Sequence, residues 1–319
     1  MKKKICWVLS NGMIGMDNQS FGLAEALGCT VVRKYIAPVA PWSYLPPQLW
    51  FAPLKSALWP GSDRFEPPWP DLVIATGRMT VAHSIAIKRA SGGRTLNIRI
   101  QHPRVALRNF DLVVAPRHDA CVGENVIQTL GAIHRVTREG LQQAGEKFAA
   151  QFAGLPRPLV AVVVGGSNKC YRMTAETARA LGEKLAAMSS ATGAGILLTT
   201  SRRTGAEVEQ ALRASLAGTP AYVWDGSGDN PYLAFLALAD FIVVTADSVN
   251  MVSEACFTGK PVYVVELAGG SRKFRRFHDA MREGGYTRPF TGVLEHWDYS
   301  PLDDVGTVAR EVQKLLSRR

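Results

Sequence analysis

No apolar run in the chain approaches the roughly 18 residues that a membrane-spanning helix requires. The start Met1-Lys2-Lys3-Lys4 leads only into a short apolar stretch, Ile5 to Leu9, without a small-residue cleavage site, so a cytosolic protein is expected. Cysteine is scarce. The five residues Cys6, Cys29, Cys121, Cys170 and Cys256 are odd in number and hold no C-x-x-C pair, which suits reduced buried thiols rather than a disulfide framework or a zinc site. G-x-G-x-x-G is absent, as is G-x-x-x-x-G-K-[ST], so NAD chemistry and ATP hydrolysis lose their main support. D-x-D is missing too, and no metal or cofactor is expected.

What is present is a chain of 319 residues with 47% hydrophobic side chains, enough for one large or two medium domains. Lys and Arg number 37 against 27 Asp and Glu, a balance of +10 that favours an anionic partner. No RNA-binding aromatic signature, zinc finger or heptad accompanies that charge. Nucleic acid is therefore disfavoured against phosphate ligands and an anionic membrane surface.

Strand-length apolar runs alternate with helix-period stretches along almost the whole chain, the pattern of β-α-β units around parallel sheets. In the first half the expected strands are Ile5 to Ser10, Thr30 to Tyr35, Asp71 to Thr76, Thr95 to Ile100 and Asp111 to Ala115; the expected helices are Asn18 to Leu27, Met79 to Ala90 and Glu139 to Phe152. Ala153-Gly-Leu-Pro-Arg-Pro158 breaks the pattern and reads as a linker. A second series follows it, from Leu159 to Val164 through Pro261 to Glu266, and a helix from Asp304 to Leu316 closes the chain. Two Rossmann-like domains are predicted, 1–153 and 159–302. In such folds ligands sit at the carboxyl ends of the strands.

Residues 41–70 fit neither element. They hold Trp42, Tyr44, Trp50, Phe51, Trp59, Phe65 and Trp69 among eight prolines. Two readings stand: a loop whose aromatics pack on its own domain, or a surface that meets a lipid interface, with Lys55 and Arg64 beside it.

Three loops of the second half could carry chemistry. Gly165-Gly166-Ser167-Asn168-Lys169 follows a buried strand, where small residues would let backbone N–H groups approach a phosphate and Lys169 adds charge; a tight turn needing glycine for its dihedrals is the other reading. Thr200-Ser201-Arg202-Arg203 ends the next strand and offers bidentate contacts to phosphate, or an Arg pair in solvent. Asp247-Ser248-Val249-Asn250-Met251-Val252-Ser253-Glu254 is a strand end passing into a helix that Asp247 or Ser248 can cap. Glu254 has no positive neighbour on that helix, and suits either a ribose diol or a solvated helix face. Further on, Arg272, Lys273 and Arg275 belong to a cation cluster able to hold an anion.

Taken together, the Gly-Gly-Ser turn, the Thr-Ser-Arg-Arg loop, Asp-Ser-x-Asn-Met-x-Ser-Glu-Ala and Thr258-Gly259-Lys260-Pro261-Val262 resemble the mitochondrial-fission, or elongated-mitochondria, family of proteobacteria and plants. Asn11-Gly12 to Gln19, Ile100 to Arg104 and Pro116 to Asp119 match it as well, so the resemblance covers nearly the full length. That family is similar to GT-B glycosyltransferases. The resemblance implies α/β architecture with two facing Rossmann-like domains, residues 303–319 forming a helix that packs back on the first. It also implies a nucleotide sugar in the second domain, with Glu254 on the ribose and Gly165, Gly166, Ser167, Lys169, Thr200, Ser201, Arg202, Asp247, Ser248, Met251 and Ser253 around the donor. The loop where such enzymes often carry a catalytic His holds Met16 and Asp17 here. Asp17 is thus a candidate base, or a helix cap, with His102 and the His118-Asp119 pair as alternatives.

The expected function is transfer of a sugar from a nucleotide diphosphate to an envelope glycolipid or saccharide acceptor at the inner membrane, with backbone N–H groups and cations stabilising the leaving diphosphate. A degenerate transferase serving as a membrane-associated adaptor is the alternative. A short-chain-type epimerase fails, since G-x-G-x-x-G is absent and none of the eight tyrosines has a lysine four residues later.

Overall fold

The computed structural model describes residues 3–37, 39–55 and 60–318. Lys2 and Trp59 therefore lie outside the described residues. The chain divides into two compact units, one made of residues 1–135 with 303–319 and the other of 136–302.

In the first unit, β-branched and aliphatic runs form β1 (Ile5–Ser10), β2 (Thr30–Tyr35), β3 (Leu72–Thr76), β4 (Leu96–Ile100), β5 (Leu112–Pro116) and β6 (Val126–Thr129). They build a parallel sheet ordered β2-β1-β3-β4-β5-β6. The central strands β3, β4 and β5 are buried at every residue, so β3 and β5 read as near-continuous apolar runs while β4 buries Asn97 and Arg99 among its aliphatic residues, whereas edge strand β2 has no fully buried residue and carries Arg33 and Lys34. Helices α1 (Ile14–Ala26) and α2 (Val81–Ala90) cross between strands. Helix α1 starts four residues earlier than the sequence suggests, and Gly22 is where it meets the backbone of His134: a β-carbon there would lie 2.2 Å from the His134 carbonyl oxygen.

The second unit opens with α3 (Arg138–Phe152), followed by β7 (Leu159–Val164), β8 (Tyr171–Arg172), α4 (Ala175–Thr192), β9 (Gly195–Thr200), α5 (Ala206–Ser215), β10 (Ala221–Val223), α6 (Tyr232–Leu238), β11 (Phe241–Thr245), α7 (Val249–Cys256), β12 (Val262–Val265), β13 (Ala268–Gly269), α8 (Arg272–Glu283) and β14 (Thr287–Pro289). Its parallel sheet is ordered β10-β9-β7-β11-β12-β14, and β13 pairs with β8 as a small antiparallel ribbon. The division between units falls before α3, not in the Pro-rich segment at 153–158. Phe152 at the end of α3 packs edge-on against Phe235 of α6, and Gly145 lies against Ala237, so this helix belongs with the second sheet.

The last helix, α9 (Asp304–Ser317), returns to the first unit. It buries Val305, Val308, Ala309 and Val312 in one cluster with Val8, Leu23, Ile74 and Ile98. The Asp304 carboxylate ties it down by accepting from the Leu130 and Gly131 N–H groups at 3.3 and 2.7 Å.

The aromatic segment divides between its two readings. Phe65 and Trp69 pack edge-on against Trp7, and Trp50 is buried beside Ala82, its Nε1 donating to the Leu45 carbonyl. Trp50 is thus a packing residue and not a surface anchor. Tyr44, Leu49 and Phe51 remain exposed. No helix among the described residues is long and apolar enough to cross a membrane.

Candidate functional site

In the second sheet the strand order reverses beside β7: β9 and β10 lie on one side, β11, β12 and β14 on the other. The loops after β7 and β11 therefore meet at a topological switch point, where doubly wound sheets bind ligands. Asp247 is the knot that joins them. Its side chain is 0% exposed. It accepts from Thr245 Oγ1 and the Gly166 N–H at 2.7 and 3.0 Å, and from the Arg203 guanidinium at 2.7 Å. Thr245 Oγ1 in turn accepts from the Gly165 N–H at 2.7 Å, and Asn168 Nδ2 donates to the Asp247 carbonyl.

This network gives the Gly-Gly pair a different reason from either expected one. Both N–H groups are already engaged inside the fold, and neither glycine has positive φ. Instead a β-carbon on Gly165 would sit 2.2 Å from both carboxylate oxygens of Asp247, and one on Gly166 would sit 2.3 Å from the Arg203 carbonyl oxygen. Close approach of backbone and carboxylate requires the glycines. The turn also leads into β8 rather than directly into a helix; α4 begins only after Thr174, whose hydroxyl caps it.

The remaining expected donor residues sort by what they touch. Ser167 Oγ exchanges hydrogen bonds with Met173, and Ser201 Oγ donates to the Gly165 carbonyl, so both shape the loops. Thr200 contacts Glu209 at 3.4 Å. Ser248, not Asp247, caps α7, accepting from the Met251 N–H, and Ser253 bonds back to the Val249 carbonyl. Lys169 and Arg202 are exposed cations at the ends of β7 and β9. Among the described residues neither is ion-paired.

Glu254 is not a solvated helix residue: it is 8% exposed, on the inward face of α7. Tyr232, at the start of α6, donates its hydroxyl to Glu254 Oε2 at 2.5 Å. Burial pushes the Glu254 carboxyl up to about 7, the tyrosine hydrogen bond opposing that rise. No cation pairs with it among the described residues.

Of the three expected anion-binding residues, Arg275 lines a cavity with Arg282 and Arg288, which the sequence reading passed over; Arg272 and Lys273 are exposed on the first turn of α8. A charged run reads as solvent-facing, but Phe274, Phe277, His278 and Met281 recur at helical spacing and could have revealed α8.

In the first unit, Asp17 is not a helix cap. It lies in the first turn of α1, accepting from Ser10 Oγ at 2.7 Å and from Arg33 at 3.3 Å. His102 Nδ1 accepts from the Arg104 N–H. His118 and Asp119 lie 3.9 Å apart with side chains 4% and 8% exposed, so neither is presented to an acceptor hydroxyl. Among the described residues no group of three His, Cys, Asp or Glu side chains is placed to hold a metal ion.

Comparison with known proteins agrees with this architecture. The family model described as mitochondrial fission ELM1 matches residues 14–316. Mitochondrial fission protein ELM1 of Arabidopsis thaliana is 35% identical over 282 residues, 80% of this chain and 66% of its own length, so the chain spans just under two thirds of that relative. An uncharacterized protein of Rickettsia prowazekii (strain Madrid E), RP120, is 24% identical over 352 residues, with 97% and 98% of the two chains covered. Among solved structures, the UDP-GlcNAc 2-epimerase of Methanocaldococcus jannaschii in complex with UDP-GlcNAc and UDP gives a TM-score of 0.55 at 12% identity over 99% of this chain and 100% of that one. The glycotransferase of kitacinnamycin gives 0.53 at 14% identity over 100% and 93%. These likenesses identify the fold as GT-B, two Rossmann-like domains in one chain. With a match running through both units and a plant relative above 30% identity, the chain belongs to the mitochondrial fission ELM1 family.

Proposed function

We propose that this protein is a metal-independent GT-B glycosyltransferase. It moves a sugar from a nucleotide diphosphate, held by the second unit, to an envelope glycolipid or saccharide acceptor, and works peripherally at the inner membrane. The observation that carries the reading is Glu254, a buried carboxylate with no cation paired to it among the described residues, on the helix that leaves the switch point. Fold stability alone gives little reason for such a group. A ribose diol donating two hydrogen bonds would favour its ionised form. Lys169 and Arg202 are the exposed cations for the leaving diphosphate. The engaged N–H groups of Gly165 and Gly166 have no part in that role.

A second reading, a degenerate transferase acting as a membrane-associated adaptor, draws on the first unit. Asp17 is already bonded to Ser10 and Arg33, and the His118-Asp119 pair is buried. Calorimetry against a panel of UDP-, GDP- and ADP-sugars separates the two. One donor should bind, and Glu254→Gln, which keeps a partner for Tyr232, should weaken it at least tenfold, since a charged hydrogen bond contributes about 1.5–3 kcal/mol. Binding by none of the panel favours the adaptor. Equal affinity of the variant returns Glu254 to a purely internal role. With the bound donor, release of nucleotide diphosphate on adding membrane lipid extract reports transfer, whereas conversion to an epimer without acceptor reports the other chemistry hosted by this fold.

A further inference from the structure

A cavity of about 170 Å³ lies within the second unit, at the carboxyl ends of β12 and β14 and beside the start of α8. It is smaller than the 300–1,000 Å³ usual for a whole drug-sized ligand, and is of a size for one ring or one acidic group. Two of its lining side chains carry buried polar atoms without a partner among the described residues: His278 Nδ1 and Thr287 Oγ1, on residues 8% and 3% exposed. Orphaned buried groups of this kind are rare in folded proteins and call for a ligand or another explanation.

Their chemistry is defined. His278 Nε2 lies 2.8 Å from the Ala246 carbonyl oxygen, which can only accept, so Nε2 carries the proton and Nδ1 is a lone-pair acceptor. Burial lowers the His278 pKa and keeps the ring neutral. Two side chains of the lining therefore hold an acceptor and a hydroxyl that no partner meets among the described residues, matching a ligand that brings hydroxyl groups. Three guanidiniums and one carboxylate also line it. Arg282 is paired with Glu266 and Asp279 at 3.3 and 2.5 Å. Arg288 is paired with Glu295 and lies over the Trp297 ring. Arg275 has no ion pair among the described residues, which leaves its planar fork open to a carboxylate or phosphoryl group. A bare anion would leave the Nδ1 lone pair unmet, and a neutral sugar would leave Arg275 unmet.

We propose that this cavity is the glycosyl subsite of the donor site and takes a monosaccharide bearing an acidic group, with hydroxyls on His278 and Thr287 and the acid on Arg275. The word donor rests on the function proposed above; the selectivity rests on the pocket alone. The full chain is titrated by NMR with D-glucuronate, α-D-glucose 1-phosphate, D-glucose and inorganic phosphate. At least one of the two acidic sugars should bind tenfold or more tighter than both glucose and phosphate, and the tighter one names the acid. Arg275→Gln should erase that preference, while Thr287→Val should weaken the acidic sugar three- to tenfold, the loss of one neutral hydrogen bond. Phosphate binding as tightly as the acidic sugars, no advantage over glucose, or a preference that survives both substitutions overturns the proposal. UDP titrated in parallel keeps the failures apart. UDP binding that Glu254→Gln weakens, without sugar selectivity, sinks this inference alone. Acidic-sugar selectivity without any nucleotide binding retains the pocket and removes the donor reading.

Discussion

Both units are doubly wound parallel sheets, with one strand outside β1 in the first and two outside β7 in the second, and they use that plan differently. Each parallel sheet reverses its strand order beside its first strand, β1 in one and β7 in the other. At the carboxyl end of the first sheet the polar side chains find each other: Ser10 with Asp17, Ser20 with Thr76, Thr80 with Arg99. Its atoms without partners among the described residues include Asn11 Oδ1, next after β1, as well as Asn97 Oδ1 and Arg99 Nε of β4, a strand buried at every residue. The second sheet closes its switch point equally tightly through Asp247, yet beside it His278 and Thr287 are left unmet at a cavity. The difference teaches that topology selects the place for a ligand, while the hydrogen bonds the fold withholds from itself select its kind.

The largest effect should come from cutting the closed knot. Asp247→Ala leaves Thr245, the Gly166 N–H and Arg203 without their acceptor. Removing one partner of a buried pair costs about 3–5 kcal/mol, and the half-exposed Arg203 can turn to water, so about 3 kcal/mol is expected in urea unfolding. A loss under about 1 kcal/mol would mean the knot is not what closes the loops.

Glu254 comes next and is read by pH. Its folded value of about 7 stands above the ordinary 4.5, so the folded state holds the proton more tightly. Its stabilising contribution is full below pH 4.5 and is lost as pH rises to about 7. About 3 kcal/mol is at stake across that window. Urea unfolding of Glu254→Gln should lack this fall, and identical slopes in the two proteins would contradict the burial argument.

Two hydroxyls sharpen the contrast at smaller scale. Ser20→Ala strands the buried Thr76 hydroxyl and should cost about 1–2 kcal/mol. Thr287→Val removes a hydroxyl that has no partner among the described residues, and should leave stability unchanged or raise it by about 0.5 kcal/mol. If both cost the same, the cavity hydroxyl is not orphaned in solution.

Much of the sheet framework was legible, because a strand buried on both faces reads directly: Leu159–Val164 is six aliphatic residues and is buried at all six. Short edge elements such as β14, three residues with a proline, give no such signal. The Gly165-Gly166 turn could be located, but its cause lies some eighty residues away in Asp247 and is a matter of tertiary contact. Glu254 stood out by its apolar neighbours, though its hydrogen-bond partner Tyr232 comes from another helix. Helix α8 was hidden by its charge, and with it the cavity residues His278 and Arg282.

The route of the chain bears on the order in which the protein is made. The first unit owes Val305, Val308, Ala309 and Val312 of its core, and the Asp304 clasp on Leu130 and Gly131, to residues that lie beyond the whole of the second unit. A ribosome working from the amino end delivers the first sheet early but cannot deliver the helix that seals it until everything through Leu302 has emerged. The second unit, continuous from Val136 to Leu302, has all its parts before then. The half synthesised first is therefore the half completed last, and it waits with the apolar face of α1 uncovered for the time needed to translate some 170 residues.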